Sequence, residues 1–178
     1  MRYPRMLMCC ATVAASLVLG AAAAASPALT SGGATNFRAN VSTSIDFSQG
    51  ECCAFWYFGH PTAVTVPRIG PATLTTFFIQ CFAVSVCTPQ NSQLTLTFET
   101  KKGEKLVLLG YAPNLGTATN DGTDFRLDVD GTWTVQPDST GRFAGYEGSG
   151  TFSLDLVQPA GSFGGSEHMS LDGTLGPR

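Results

Sequence analysis

Charge is scarce in this chain: 13 acidic and 10 basic residues among 178. The basic ones are dispersed, and the densest group is Lys101-Lys102 with Lys105. Phosphate backbones are bound by a concentrated basic face, so this pattern argues against a nucleic-acid partner. Beyond the N-terminus no segment shows the 3.6-residue apolar period of a helix, and none is long and apolar enough to span a bilayer. The paired C-x2-C knuckles of a structural zinc site are missing, and His60 and His168 have no ligand spacing; no metal or cofactor is expected. "NDGTD" lacks the Asp-x-Asp-x-Asp-Gly run and distal Glu of a calcium loop. There is no G-x-S-x-G elbow to activate a serine. These absences remove the chemistries that leave the clearest sequence traces.

What is present begins with an export signal. Arg2 and Arg5 precede an apolar stretch from Met6 to about Gly20, and Ala23-Ala24-Ala25 before Ser26-Pro27 has the small-residue pattern of a cleavage site. Met6 to Ala25 is long enough to serve instead as an uncleaved anchor, but its alanine richness favours cleavage. The expected organisation is a signal peptide over 1–25, a flexible segment over 26–35 and one domain over 36–178. The expected location is extracellular or in the cell envelope, with no membrane association after cleavage. Without Arg2 and Arg5 the chain has 8 basic and 13 acidic residues.

Cys9 and Cys10 lie within the leader. Cys52, Cys53, Cys81 and Cys87 remain, and an even number in an exported chain predicts two disulfides. Adjacent strand residues point to opposite faces, which disfavours a Cys52–Cys53 bridge. Cys52 and Cys53 are each expected to pair with Cys81 or Cys87. The unequal parity of the two pairs requires a bulge or strand end between them.

Period-two alternation recurs along the chain. Phe37, Ala39, Val41, Thr43, Ile45 and Phe47 share one face of a strand. "LTLTFETKKGEKLVLL" reads as a hairpin turning at Gly103. "APNLGTATNDG" reads as a loop. Phe125, Leu127, Val129, Trp133 and Val135 face one way, with Asp124, Arg126, Asp128 and Asp130 opposite. Phe152, Leu154 and Leu156 point inward on the next strand, and "HMSLDGTL" reads as a short last strand. "CCAFWYF" and "TLTTFFIQCFAVSVC" are apolar on both faces, so something covers the outer one. Pro61, Pro67 and Pro71 punctuate the chain between these two runs.

Several constellations invite chemistry. The Asp124, Arg126, Asp128 and Asp130 row reads first as a solvated strand face. A Ser-His-Asp triad from separated residues is conceivable for His60 or His168 and has no local signature. Tyr146 and Glu147 beside the glycines are candidates for a barrel mouth. Gly131-Thr132-Trp133 is similar to the lipocalin G-x-W and to the GTW of avidin-like proteins. In those families the motif lies on the first strand, whereas here it falls late, and Trp133 reads as a core aromatic.

"STGRFAGYEGSGTFSLDL" followed by "MSLDGTL" resembles the GGTGRFxGAxGxGT signature of exported bacterial proteins with an allene-oxide-cyclase-like, or dirigent-like, barrel. "TLTFETKKGEKLVLLG" is similar to their upstream hairpin. The resemblance covers about residues 92–176; residues 36–87 match only in strand pattern. Asp138-Ser139 stands where the signature has glycines, and Tyr146 where it has alanine. The resemblance implies a corner built on Gly141, Gly145, Gly148 and Gly150, with Phe143 inserted inward. Plant relatives bind an unstable apolar intermediate or radicals in the lumen, and trimers occur in the family. No catalytic residue of those relatives maps onto a position here.

These readings converge on an all-β fold: an antiparallel barrel of about eight strands, calycin-like and disulfide-stapled, with a β-sandwich as the alternative. The expected function is non-enzymatic binding of a small apolar ligand or a protein partner, with Phe125, Trp133 and Phe152 as candidate lumen contacts. The alternatives are a cyclase or isomerase acting on an apolar substrate in the lumen, and a structural homo-oligomer joined through the 52–87 region.

Overall fold

A computed structural model describes residues 35–49, 54–81, 92–113 and 116–178. The expected leader and its two cysteines lie outside the described residues, as do Cys52, Cys53 and Cys87. Cys81 ends a strand, and its backbone pairs with that of Ala54.

Among the described residues, ten strands form one antiparallel sheet: β1 (Thr35–Gln49), β2 (Ala54–Gly59), β3 (Thr62–Val66), β4 (Gly70–Cys81), β5 (Ser92–Thr100), β6 (Lys105–Ala112), β7 (Thr117–Asn120), β8 (Asp124–Val135), β9 (Tyr146–Pro159) and β10 (Gly164–Pro177). Around the ring the order is β1, β10, β9, β8, β6, β5, β4, β2 and back to β1. The sheet therefore closes as an eight-place barrel, although among the described residues β3 and β7 are each laddered on one side only.

Ten strands occupy eight places because two places are interrupted. β2 and β3 both pair with β4. Between Phe58↔Phe77 and Thr62↔Leu74 the chain advances four residues against three, so a bulge lies at His60-Pro61, where proline cannot donate to a ladder. β6 and β7 likewise share the flank of β8. The stretch read as a loop thus contains a short strand, all four of whose residues are exposed, so it carries no inward apolar side chain to betray it. The last strand is also longer than its apolar pattern suggested, starting at Gly164 instead of His168.

Alternation sorts the side chains as the sequence predicts. Phe37, Ala39, Val41 and Ile45 of β1 are buried, as are Leu94, Leu96 and Phe98 of β5 and Leu127, Val129 and Trp133 of β8. Phe152, Leu154 and Leu156 come in from β9, and Met169, Leu171 and Leu175 from β10. Burying each large apolar side chain stabilises the fold by about 1.5–3 kcal/mol.

One end of the barrel is stoppered by the glycine corner. Gly141 (φ 62°) and Gly145 (φ 75°) bracket a single 3-10 turn, in a backbone region that costs other residues strain. The turn drives Phe143 fully into the core, edge-on to Tyr146 at 5.4 Å. Arg142 lies over the Phe143 ring at 4.7 Å, pairs with Glu104 at 3.4 Å and donates to the Ile69 carbonyl. Glu147 pairs with Arg178 at 2.9 Å.

In mid-barrel, Phe152 and Trp133 use space left by missing side chains. A methyl at Gly131 would lie 2.5 Å from the Phe152 ring, and one at Gly173 would lie 2.8 Å from the Trp133 indole. Gly131→Ala is therefore expected to destabilise the barrel by about 1–3 kcal/mol in urea unfolding, whereas Ser153→Ala on the outer face of β9 should change it by less than about 0.5 kcal/mol.

Candidate functional site

The aromatic side chains singled out as lumen contacts occupy different settings. Trp133 is 1% and Phe152 2% exposed. The Trp133 indole N–H donates to the Thr151 carbonyl at 3.0 Å, and its ring meets Phe37 edge-on at 5.6 Å. Both rings fill the barrel in this structure. Phe125, near the opposite end from the glycine corner, is half-buried and packs against the rim of the core. Gly148 and Gly150 lie within β9, where added methyls would meet the Thr174 and Asp172 carbonyl oxygens of β10 at 2.3 and 1.9 Å.

The interior holds one group that the sequence reading missed. Glu167 is on β10 with the inward parity of Met169 and Leu171, and it is 2% exposed. Its register partners are Thr43 on β1 and Leu156 on β9. Thr76, inward on β4, donates its hydroxyl to Glu167 Oε1. Glu167 Oε2 is buried without a hydrogen-bond partner among the described residues. Gly59 makes this meeting sterically feasible: a methyl there would lie 1.9 Å from Thr76 Oγ1 and 3.1 Å from Glu167 Oε1. Burial raises the Glu167 carboxyl to about 7 from its ordinary 4.5, and the Thr76 hydroxyl only partly offsets this. Tyr57, also inward, is pushed up to about 12 by burial. The signal for Glu167 was its parity: it lies two residues before Met169 on a strand whose odd positions point inward.

The outer face carries the other ionisable groups. Asp128 and Asp155 stand opposite each other on β8 and β9, and their hydrogen bond raises Asp128 above the usual carboxylate range. On the same row His168 Nδ1 and Ser42 Oγ are 2.8 Å apart. The row puts Ser, His and Asp on three adjacent strands, but Asp155 is engaged by Asp128. Ladder hydrogen bonds also consume the backbone N–H groups that an oxyanion site would need. Beside it a groove of about 560 Å3 is lined by Arg38, Asn40, Asp130, Ser153, Ser170 and Asp172, among others. Arg38 and Asp172 close an ion pair across it at 2.8 Å. Among the described residues no three His, Cys, Asp or Glu side chains are grouped to hold a metal ion, and no helix is long and apolar enough to cross a membrane.

The outer faces of β4, β5 and β6 contrast with that row. Thr75, Phe77, Ile79, Gln93, Thr95, Thr97, Leu109 and Tyr111 form an uncharged surface, with charge resuming only at the Glu99–Lys105 pair by the β5–β6 turn. Phe58 on β2 continues it, 42% exposed and 4.9 Å from the Phe77 ring. Tyr111 is 41% exposed.

No family model, no curated protein and no solved structure matches this chain.

The Glu167 setting has a thermodynamic consequence. The folded carboxyl titrates near 7 and the unfolded one near 4.5, so between these values the folded state holds a proton that the unfolded state has released. Stability is therefore unaffected by this group below about pH 4.5, falls by about 1.4 kcal/mol per pH unit up to about pH 7, and is flat above it. The total loss is about 3 kcal/mol. Glu167→Gln should abolish this fall, measured as the difference between wild-type and variant urea-unfolding free energies across that range. A parallel pH dependence in both proteins would contradict the assignment.

Proposed function

We propose that this protein is an exported, non-enzymatic binding module that works from its outer surface and assembles with further copies of itself through β4, β5 and β6. The observation that carries this reading is the division of the barrel's outside. β1, β8, β9 and β10 present Arg38, Asp46, Arg126, Asp128, Asp130, Asp155, His168 and Asp172, whereas β4–β6 away from the Glu99–Lys105 pair at the β5–β6 turn present no charged group among the described residues. Interface centres are depleted of charge and enriched in aromatic side chains, and large exposed apolar patches on soluble domains mark contact sites. A surface without charge also meets its own copy across a symmetry axis without opposing like charges. The resemblance to exported allene-oxide-cyclase-like barrels, among which trimers occur, is consistent with this.

The packed interior weighs against the lumen-ligand reading. A ligand at Trp133 or Phe152 would have to displace rings that are already buried. The enzymatic alternative asks for an inward ionisable group, which Glu167 supplies, and for space beside it. Thr76 and the Gly59 backbone occupy the side where Glu167 Oε1 is held.

Light scattering and native mass spectrometry test the reading. The wild-type protein is expected to run as a discrete oligomer at micromolar concentration, and Ile79→Lys with Tyr111→Lys as a folded monomer, because each buries a charge in the contact. A wild-type monomer at those concentrations would overturn self-assembly.

A further inference from the structure

Glu167 lies behind one of the short joins in the ring. β1 is laddered to β2 only over Ile45–Gln49, and among the described residues no ladder joins β1 to β3. The join below Ile45 is made by other means. His60 N–H donates to the Ser44 carbonyl at 2.8 Å. Thr43 Oγ1 lies 2.8 Å from the His60 carbonyl and 2.7 Å from Thr62 Oγ1. Arg68 Nε donates to the Asn36 carbonyl at 3.2 Å. Thr43 is also the register partner of Glu167, so the carboxyl lies one strand from this seam.

We propose that the β1–β3 seam is a proton-controlled opening: it is closed while Glu167 is neutral and parts when Glu167 ionises, letting water reach the carboxylate. The geometry gives the reason. Glu167 is the one acidic or basic residue among the buried described residues. It is faced by Thr43 and Ile45 from β1, Gly59 and the neutral Tyr57 phenol from β2, Thr76 from β4 and Leu156 from β9, and across the lumen by the apolar side chains of β5, β6 and β8. No cation is among them. Once charged, the carboxylate has among the described residues a single donor, the Thr76 hydroxyl, and a second oxygen with none. Burying a charge so poorly solvated costs more than parting a few hydrogen bonds that water can replace. The other titratable groups nearby, the His60–Asp46 pair at 2.8 Å and His168, lie on the outer surface of the sheet. The device is independent of what the barrel binds.

Residue-resolved amide exchange on the folded protein, corrected for intrinsic rates, reads the opening directly. Between about pH 5.5 and about pH 8.5, amides of residues 43–45, 59, 60 and 62 should lose protection by at least about tenfold through an opening whose free energy hardly changes in dilute urea, while the best-protected amides of β8 and β9 exchange only by global unfolding and follow the urea-sensitive unfolding free energy. Glu167→Gln should remove the change and His60→Gln should leave it. Thr76→Val, which takes away the carboxylate's one donor, should move the transition to higher pH; this arm stands even if Glu167→Gln does not fold. Seam amides with the same protection and the same urea dependence as those of β8 and β9 would reduce the effect to global destabilisation and overturn the proposal. So would a change that persists in Glu167→Gln, or a transition unmoved by Thr76→Val.

Discussion

The ladder between the first and last strands is the interaction on which the rest of the structure depends. Thr35 pairs with Leu175, and the register runs unbroken to Asp46 against Gly164. It joins segments more than a hundred residues apart, at a large cost in chain entropy. In return it helps turn a sheet with two exposed edges into a ring, and a ring has an inside. Once the inside exists, period two decides every strand residue's environment, because a side chain points either into the barrel or out of it.

That binary choice sorts side chains without regard to chemistry. It carries Phe37, Trp133 and Leu154 inward, and by the same rule it carries Glu167 inward between Thr43 and Leu156. A one-residue slip would free the glutamate, but it would also expose Met169, Leu171 and Leu175. Those three residues contribute several kcal/mol of burial, more than the cost of holding one carboxyl in its neutral form. The register wins and the carboxyl yields by keeping its proton.

Much of the fold was legible because its signals are local. Alternation marks β1, β5, β8 and β9, and the glycine spacing around Phe143 announces the corner. What was not legible depends on partners. β7 has no inward apolar residue and is a strand only because β8 lies beside it. The break at His60-Pro61 is visible as a proline, but its effect on the ring requires knowing that β2 and β3 share the flank of β4. Glu167 was hidden by polarity: it lies one residue before the HMSLDGTL run that reads as the last strand, and its inward parity shows only when that strand is extended back. The doubly apolar character of the 73–79 stretch was legible, and its outer half became meaningful only when β5 and β6 supplied equally uncharged neighbours.

The bulge and the buried carboxyl are best understood as one arrangement. An extra residue at His60-Pro61 interrupts the ladder and turns the His60 carbonyl toward the Thr43 and Thr62 hydroxyls. Just before it, the regular β2–β4 register brings Gly59 opposite Thr76, and the missing side chain leaves a gap that the Thr76 hydroxyl and the Glu167 carboxyl share. A regular β2–β3 strand would have continued the β1 ladder past Ile45 and replaced those hydroxyl contacts with backbone pairs. Beyond the β1–β2 ladder and the His60–Ser44 backbone bond, the barrel joins its first strand to β3 with side-chain hydrogen bonds, which water replaces more readily than a ladder, and it does so beside the one buried charge-bearing group among the described residues. Sensitivity to protons is therefore concentrated at a place where side-chain contacts stand in for a ladder.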